Sequence, residues 1–313
     1  MAEQNKSYSQ MRKEFYTSYK EEIAPFVKKF DGERKKKLVF AIIGSTFFCI
    51  LGIVSLLALF INGAGNHDSG SSLKSAVFMF GLGWFTWFSI KKSFENSIKE
   101  QIMPKLCKCY GKMKWSEGSY QKGRVFEKSC VIPQYTSDEY DDIFTGIHKD
   151  VAFEIVESEY IRGSGKNQRT VFKGVIVKLA MNKNFISHTV IKPDSLRHVS
   201  PAKDLRHTVL EDVEFEKKFD VFTNDEVDAR YLITPSFMER LNNMKTAFKA
   251  NSVSCAFYGD LLLVALSTNK DLFSICSLVK PVDDEQQYFQ MYEEIVSIIK
   301  LIDHFKLDQK IGL

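Results

Sequence analysis

The stretch "RKKKLVFAIIGSTFFCILGIVSLLALFINGAG", residues 34–65, places four cations directly before a long apolar run. Leu38 to Ile61 contains 24 residues without a charge. As an α-helix this run would be about 36 Å long, which exceeds the hydrocarbon core of a bilayer at about 30 Å. The run therefore predicts a membrane-spanning helix.

A cleaved export signal and a buried helix of a soluble protein are both less consistent with this run. A secretory signal begins within the first residues and ends its apolar core at a small-residue cleavage site, whereas 37 residues precede this run. A buried helix of a soluble protein would also be apolar, but this run is long enough to cross a bilayer without a charge. The sequence favours a span that is retained in the mature protein.

A second apolar run, "LKSAVFMFGLGWFTWFSI", extends from Leu73 to Ile90, and its uncharged part is the 16 residues from Ser75. That part gives a helix of about 24 Å, which is short for a bilayer, although Lys74 can extend its ammonium group towards the headgroups. The run predicts a second span, with a re-entrant or interfacial helix as the alternative. The polar segment "NGAGNHDSGSS" between the two runs predicts a turn, so the spans form a helical hairpin.

The cations give the hairpin a direction. Basic residues flank the outer ends of the two runs, namely Arg34, Lys35, Lys36, Lys37, Lys91 and Lys92. The connecting loop offers only Lys74 and Asp68. By the positive-inside rule both termini lie in the cytoplasm, and the protein is a multi-pass protein of the plasma or inner membrane.

The pattern divides the chain into four parts. Residues 1–37 form an N-terminal cytoplasmic amphipathic helix, 38–92 the transmembrane hairpin, 93–115 a juxtamembrane helix and 116–313 a cytoplasmic α+β domain. The two helices beside the hairpin carry apolar stripes at helical spacing: Phe15, Tyr19, Ile23, Phe26 and Phe30 in the first, and Phe94, Ile98, Ile102 and Leu106 in the second.

These stripes predict an antiparallel stalk under the membrane, with the N-terminal helix lying flat on the lipid surface as the alternative. Gly32 and the basic cluster predict a break in the helix before the first span. Pro104 predicts the end of the second helix.

The C-terminal part changes to strand periodicity. Alternation in "VAFEIVESEYIRG", a turn at "SGKNQR", the buried run "TVFKGVIVKLAM" and "NFISHTVIKP" predict a three-stranded antiparallel meander. "KFDVFTN" predicts another strand, and "VSCAFYGDLLLVALS" a hairpin that turns at Gly259-Asp260. Thr234 predicts the N-cap of a helix, and a long helix extends from about Asp283 to Phe305. Because strands and helices are segregated, the fold class is α+β.

The stretch "LEDVEFEKKFDVFTNDEVDARYLITPSFMERL" resembles the signature of an uncharacterised family of bacterial two-span membrane proteins, classified as a domain of unknown function. The segments "FEKSCVIP", "DDIFTGIHKDVAFEIVESE" and "VFKGVIVKLAMNKNF" are similar to the same family. The resemblance implies an N-terminal helix, two spans and a cytoplasmic domain. It implies no activity and transfers no catalytic residue.

Motifs that would carry chemistry are incomplete. "GSGKN", residues 163–167, lacks the first Gly and the final Ser or Thr of a phosphate-binding loop. Cys107-Lys108-Cys109 has no second ligand pair, and the six cysteines indicate free thiols. His148, His188, His198 and His207 are scattered through strands and loops without a metal-site or hydrolase spacing. Pairs of acidic residues such as Glu211-Asp212 indicate a solvated surface. The sequence predicts no catalytic residue, no cofactor and no metal ligand.

These observations predict a non-enzymatic membrane anchor that presents a cytoplasmic binding domain. Its partners are the lipid bilayer and either an unidentified protein or a second copy of itself. Nucleic acid is not expected, because residues 93–313 carry 30 basic and 32 acidic residues and no concentrated basic stretch. The alternatives are a membrane-bound hydrolase acting on envelope components and a transport or channel subunit, although neither span has a charge in its core.

Overall fold

The structure is a computed structural model, and it describes residues 7–62, 69–110, 112–181, 184–195, 198–270, 272–275, 277–281 and 284–304. The chain divides into two compact units. The hairpin unit comprises Lys13–Leu106 and Ser274–Phe289. The sheet unit comprises Met1–Arg12, Cys107–Phe273 and Gln290–Leu313. Long apolar helices followed by an antiparallel sheet make the chain α+β, as the sequence predicts.

The N-terminal region is helical almost without interruption. Helix α1 (Tyr8–Ser18) leads into one π-helical turn (Tyr19–Ile23), and α2 (Ala24–Asn62) follows directly. In the π-turn the Ala24 N–H donates to the Tyr19 carbonyl. Pro25 comes next and has no N–H to donate, so the wider turn lies where an ordinary helical hydrogen bond would be lost.

The break predicted at Gly32 and residues 34–37 is wrong, because α2 continues through both. A single glycine in a helix costs only about 1 kcal/mol, and the apolar residues on either side of it are held by packing. The second helix, α3 (Ser69–Lys108), likewise continues one turn past Pro104. Of the predicted turn between the two helices, residues 63–68 lie outside the described residues.

Helices α2 and α3 pack closely through glycines. A Cβ atom at Gly52 would lie 3.0 Å from the Phe80 ring, and one at Gly83 would lie 3.2 Å from the Ser45 carbonyl oxygen. Small residues allow two helix backbones to approach in this way. The contacts run in opposite directions along the two helices, so α2 and α3 form an antiparallel pair.

The pair continues beyond the apolar runs. The Lys37 ammonium lies 5.5 Å from the centre of the Phe94 ring, and the Lys105 ammonium lies 4.4 Å from that of Phe26. Every member of the two stripes is buried except Phe26, which is partly buried. The stripes therefore form an interior, which supports the predicted stalk and not a helix that presents this face to lipid.

The returning segment 274–289 completes the interior of the hairpin unit. The Tyr288 ring lies 5.4 Å from that of Tyr19, and the Phe289 ring lies 5.1 Å from that of Phe15. These aromatic contacts are within the range at which ring pairs attract each other. The N-terminal stripe is therefore covered by two parts of the chain that lie far apart in sequence.

The sheet unit contains one nine-stranded sheet in which every neighbouring pair is antiparallel. Its strand order is β1-β2-β3-β4-β9-β8-β5-β7-β6. The strands are β1 (Lys114–Glu117), β2 (Ser137–His148), β3 (Val151–Arg162), β4 (Arg169–Ala180), β5 (Thr189–Pro193), β6 (Arg206–Thr208), β7 (Phe219–Thr223), β8 (Ser252–Tyr258) and β9 (Leu261–Ser267).

Two predicted hairpins are confirmed and the meander is corrected. Strands β3 and β4 pair across the predicted turn, and β8 and β9 pair across Gly259, which has a φ of +62°. Strand β5, however, does not pair with β4, because the β8–β9 hairpin lies between them. Gly174 permits this insertion: a side chain there would collide with the Leu266 carbonyl oxygen of β9.

The remaining helices are α4 (Arg124–Lys128), α5 (Val213–Glu216), α6 (Glu226–Leu232), α7 (Pro235–Ala247) and α8 (Glu285–His304). Thr234 caps α7 as predicted, since its hydroxyl accepts from the Phe237 N–H at 3.2 Å. The predicted α8 stripe is buried in full, at Tyr288, Tyr292, Ile295, Ile299 and Ile302.

"GSGKN" forms an exposed turn between β3 and β4 and does not precede a helix.

Gly83 and Gly81 provide a matched test of the helix packing. Gly83→Val should lower the free energy of unfolding by about 1–3 kcal/mol, because its new atoms meet the α2 backbone. Gly81→Val should have little effect, since nothing lies within 4 Å of a Cβ atom at that position. The measurement is denaturant unfolding of the full chain in detergent. Equal losses in the two variants would contradict the packing.

Candidate functional site

The edge of the sheet formed by β6 and β7 brings together three polar side chains that the sequence keeps apart. Asp220 lies on β7 and is only 2% exposed. His207 lies on the short edge strand β6, which pairs with β7 so that His207 is opposite Phe222. His198 belongs to the segment between β5 and β6. We call His198, His207 and Asp220 the edge cluster.

The distances within the edge cluster are short. The Nδ1 atom of His198 lies 2.5 Å from Oδ1 of Asp220, and Nε2 of His207 lies 3.5 Å from the same oxygen. The two imidazole rings are nearly parallel, with centres 4.6 Å apart. The three ligand atoms all lie within 4.8 Å of one another. Both histidines therefore face one carboxylate oxygen.

The other oxygen of Asp220 is held by the loop that follows β5. The backbone N–H and the hydroxyl of Ser195 both donate to Oδ2 at 3.1 Å. The loop is itself tied to the chain just after α5, because the Asp194 N–H donates to the Lys218 carbonyl at 2.8 Å. His198 has a φ of +42°, a conformation that few non-glycine residues adopt. The backbone thus fixes the carboxylate and presents His198 to it.

The arrangement permits two kinds of chemistry. Two imidazoles and a carboxylate form a donor set that suits zinc or non-haem iron. His198 Nδ1 and Asp220 Oδ1, 2.5 Å apart, also form a hydrogen bond, in which the imidazole N–H donates to the carboxylate. A Ser-His-Asp triad does not fit, because the Ser195 hydroxyl donates to the carboxylate and not to an imidazole.

No sequence motif marks this cluster, and no metal ligand was predicted. Two histidines nine residues apart match no metal-binding motif. They approach Asp220 only because β6 pairs with β7 and because of the course of the preceding loop. One feature of the sequence does point to Asp220. Asp220 is the single charge in "FDVFT", a strand whose five residues are all buried, and a charge in such a strand needs a partner.

A second polar cluster, of three acidic residues, lies where β2 and β3 pair, and two of its carboxylates accept hydrogen bonds from other parts of the sheet unit. The Trp115 indole N–H donates to Asp142 at 2.7 Å, and the Leu272 N–H donates to Glu157 at 3.2 Å. Asp141 is the third member. These bonds join the edge strand β1 and the segment after β9 to the sheet.

The cysteine pair Cys107 and Cys109 is buried, and neither residue forms a disulfide bond in the described part of the chain. Burial raises the pKa of Cys107 to about 12. The thiol is therefore protonated at neutral pH and is a poor nucleophile. Cys276 lies outside the described residues.

The six basic residues predicted to flank the membrane differ in their surroundings. Arg34 is buried: its Nε donates to Asp31 at 2.7 Å and its Nη1 to the Leu278 carbonyl at 3.2 Å. Arg34 therefore joins α2 to the returning segment 274–289. The exposed members are Lys35, Lys36 and Lys92, and the partly exposed ones are Lys37 and Lys91.

Comparison with known proteins gives a family match for part of the chain. The profile of a family described as "Protein of unknown function (DUF3137)" matches residues 170–307, which include the whole edge cluster. No curated protein matches the sequence.

One solved structure is similar, the crystal structure of the mycobacterial trehalose monomycolate transport factor A, TtfA. It is 9% identical, with a TM-score of 0.38 over 66% of this chain and 94% of that chain. A likeness this weak supports no conclusion about fold or function.

Arg34→Met should destabilise the hairpin unit, because it removes the buried hydrogen bonds to Asp31 and to the Leu278 carbonyl. Hydrogen bonds to charged groups are worth about 1.5–3 kcal/mol each, so a loss of about 2 kcal/mol is expected. Lys36→Met, two residues further along and on the exposed face of α2, is the control and should change little. The measurement is unfolding of the full chain in detergent.

The same ion pair predicts a pH dependence. The bonds from Arg34 and Lys35 lower the pKa of Asp31 below its usual value. A depressed carboxyl pKa contributes stability above the unfolded pKa of about 3.9, and this contribution is lost as the pH falls through the folded value. The difference between wild type and Arg34→Met should therefore shrink below about pH 4. A difference that is constant from pH 7 to pH 3 would contradict the assignment.

Proposed function

We propose that this protein is an integral membrane protein in which α2 and α3 cross the bilayer and the sheet unit is a non-enzymatic binding module in the cytoplasm. The observation that carries the proposal is the outer surface of the helix pair, which is apolar and exposed. On α2 the exposed side chains include Phe40, Ile43, Phe47, Ile50, Val54 and Leu57, and on α3 Leu73, Val77, Phe78, Trp84, Phe85 and Phe88.

Lipid is the occupant that this surface favours. Each large apolar side chain left in water costs about 1.5–3 kcal/mol relative to burial, so a dozen of them would strongly disfavour a soluble state. The core helix of a soluble protein would be mostly buried. Here only 6% and 11% of the most apolar 18-residue windows of the two helices are buried.

The contacts of α3 favour a full span over a re-entrant helix. Ser75, near the start of its apolar run, has its hydroxyl 3.3 Å from that of Ser55 on α2. Gly83 packs on Ser45 further along, and Lys105 reaches Phe26 beyond the run. A helix that turned back inside the bilayer would not follow α2 over this length.

The orientation rests on the cations. Lys35, Lys36 and Lys37 precede the first apolar run, and Lys91 and Lys92 follow the second, so five lysines lie at one end of the pair. The positive-inside rule assigns that end to the cytoplasm. At the edge cluster the Ser195 hydroxyl donates to Asp220 and not to an imidazole, which is not the arrangement of a hydrolase of the serine type.

Reporter fusions test the topology. A periplasmic reporter should be active after residue 67 and inactive after residues 120 and 313, and a cytoplasmic reporter should show the reverse. A cytoplasmic signal at residue 67 would contradict the two-span proposal.

A variant with redistributed charges tests whether the lysines determine which end of the helix pair lies in the cytoplasm. Lys36, Lys37, Lys91 and Lys92 become Gln, and Gly63 and Gly65 become Lys. These changes should invert or mix the reporter pattern while the apolar runs stay intact. An unchanged pattern would show that the lysines do not set the orientation.

A further inference from the structure

We propose that the edge cluster, His198, His207 and Asp220, binds one divalent first-row transition metal ion, for which zinc has the best-fitting chemistry. The proposal does not depend on membrane insertion. It concerns the edge of the sheet at β6 and β7, where neither the sequence motifs nor the family description assigns a site.

The donor atoms have a spacing close to that of a metal site. Ligand atoms that bind one tetrahedral zinc at about 2.0–2.2 Å lie about 3.2–3.6 Å from one another. The 3.5 Å between His207 Nε2 and Asp220 Oδ1 is already in this range. The 2.5 Å between His198 Nδ1 and the same oxygen has to open by about 1 Å. The His198 side chain is 49% exposed, so solvent leaves room for the small rotation that this opening would require.

His207 is the residue that favours a metal site over a purely structural hydrogen bond. To attach the segment between β5 and β6 to β7, the bond from His198 Nδ1 to Asp220 would be enough. The Nε2 atom of His207 is shielded from solvent, yet it has no hydrogen-bond partner among the described residues. A buried ring nitrogen directed at a shared carboxylate oxygen is explained by an ion that both would bind.

The surroundings of Asp220 have the form of an outer coordination shell. Ser195 holds Oδ2 with two hydrogen bonds and so leaves Oδ1 directed at the histidines. Bonds of this kind orient a ligating carboxylate in metal proteins. The cation would also balance a carboxylate that is 2% exposed.

The fourth ligand would come from the solvent side of the cluster. Asp194 is 38% exposed, and its Oδ1 lies 4.0 Å from His198 Nδ1. This carboxylate or a water molecule would complete four-coordination on the solvent side. Binding would displace the proton from His198 Nδ1, either to its Nε2 atom or to solvent.

The test is a zinc titration of the full chain in detergent, purified with a tag that contains no histidine and treated with a chelator. Isothermal calorimetry should show one saturable site per chain. Cobalt, used as a second probe, should give the visible absorption of a tetrahedral ion with nitrogen and oxygen ligands. The thermal midpoint should rise with zinc and fall again with chelator.

The variants locate the site. His207→Gln and Asp220→Asn should each weaken zinc binding at least about 10-fold, which is the lower end of the effect of losing even an outer-shell partner. His188→Gln is the control, because His188 lies elsewhere in the sheet unit, with its Nε2 atom 2.9 Å from the Ser129 carbonyl. It should bind zinc as the wild type does.

Two results would overturn the proposal. One is the absence of a saturable zinc or cobalt site in the folded wild-type chain at micromolar metal, a result that needs no variant. The other is a site whose affinity is unchanged in His207→Gln. If Asp220→Asn does not fold, the wild type and His207→Gln still decide the question, since His207 is partly exposed on an edge strand.

Discussion

The close approach of α2 and α3 is the contact on which the hairpin unit depends. With Gly52 against the Phe80 ring and Gly83 against the Ser45 carbonyl, the two backbones lie nearer than larger side chains would allow. Because the helices are antiparallel, the residues before the first apolar run and after the second are neighbours. Their stripes then form one interior, which the returning segment 274–289 completes at Phe15 and Tyr19.

The same pairing creates the surface that receives the returning segment. Once α2 and α3 are side by side, Arg34 can bond the Leu278 carbonyl, and Glu95 of α3 accepts from the Leu278 N–H at 3.3 Å. One peptide segment is thus held by a cation from α2 and a carboxylate from α3. Arg34 is consequently a structural residue, although its position beside three lysines suggests a headgroup contact.

Much of the local structure could be predicted from the sequence, since it follows from local rules. The apolar runs, the cap at Thr234, the turn at Gly259 and the stripe of α8 all depend on residues within a few positions of one another. The insertion of β8–β9 beside β4 could not be predicted, because it depends on Gly174 meeting a strand about 90 residues later. Strand β2 was missed because its start, "SDEYDD", has low strand propensity and is held by its neighbours β1 and β3. The edge cluster was missed because its members meet only through the pairing of β6 with β7 and the course of the segment between β5 and β6.

Spin labels on α2 and α3 test the central claim, that lipid covers the outer faces of these helices. Phe47 and Phe78, 58% and 62% exposed, would each carry a nitroxide in the full chain reconstituted into vesicles, and Lys36, exposed on the same helix as Phe47, would carry the control. If lipid covers these faces, the labels at Phe47 and Phe78 should be relaxed by dissolved oxygen and shielded from a water-soluble nickel complex, with the reverse at Lys36. Equal access of the nickel complex to all three positions would contradict it.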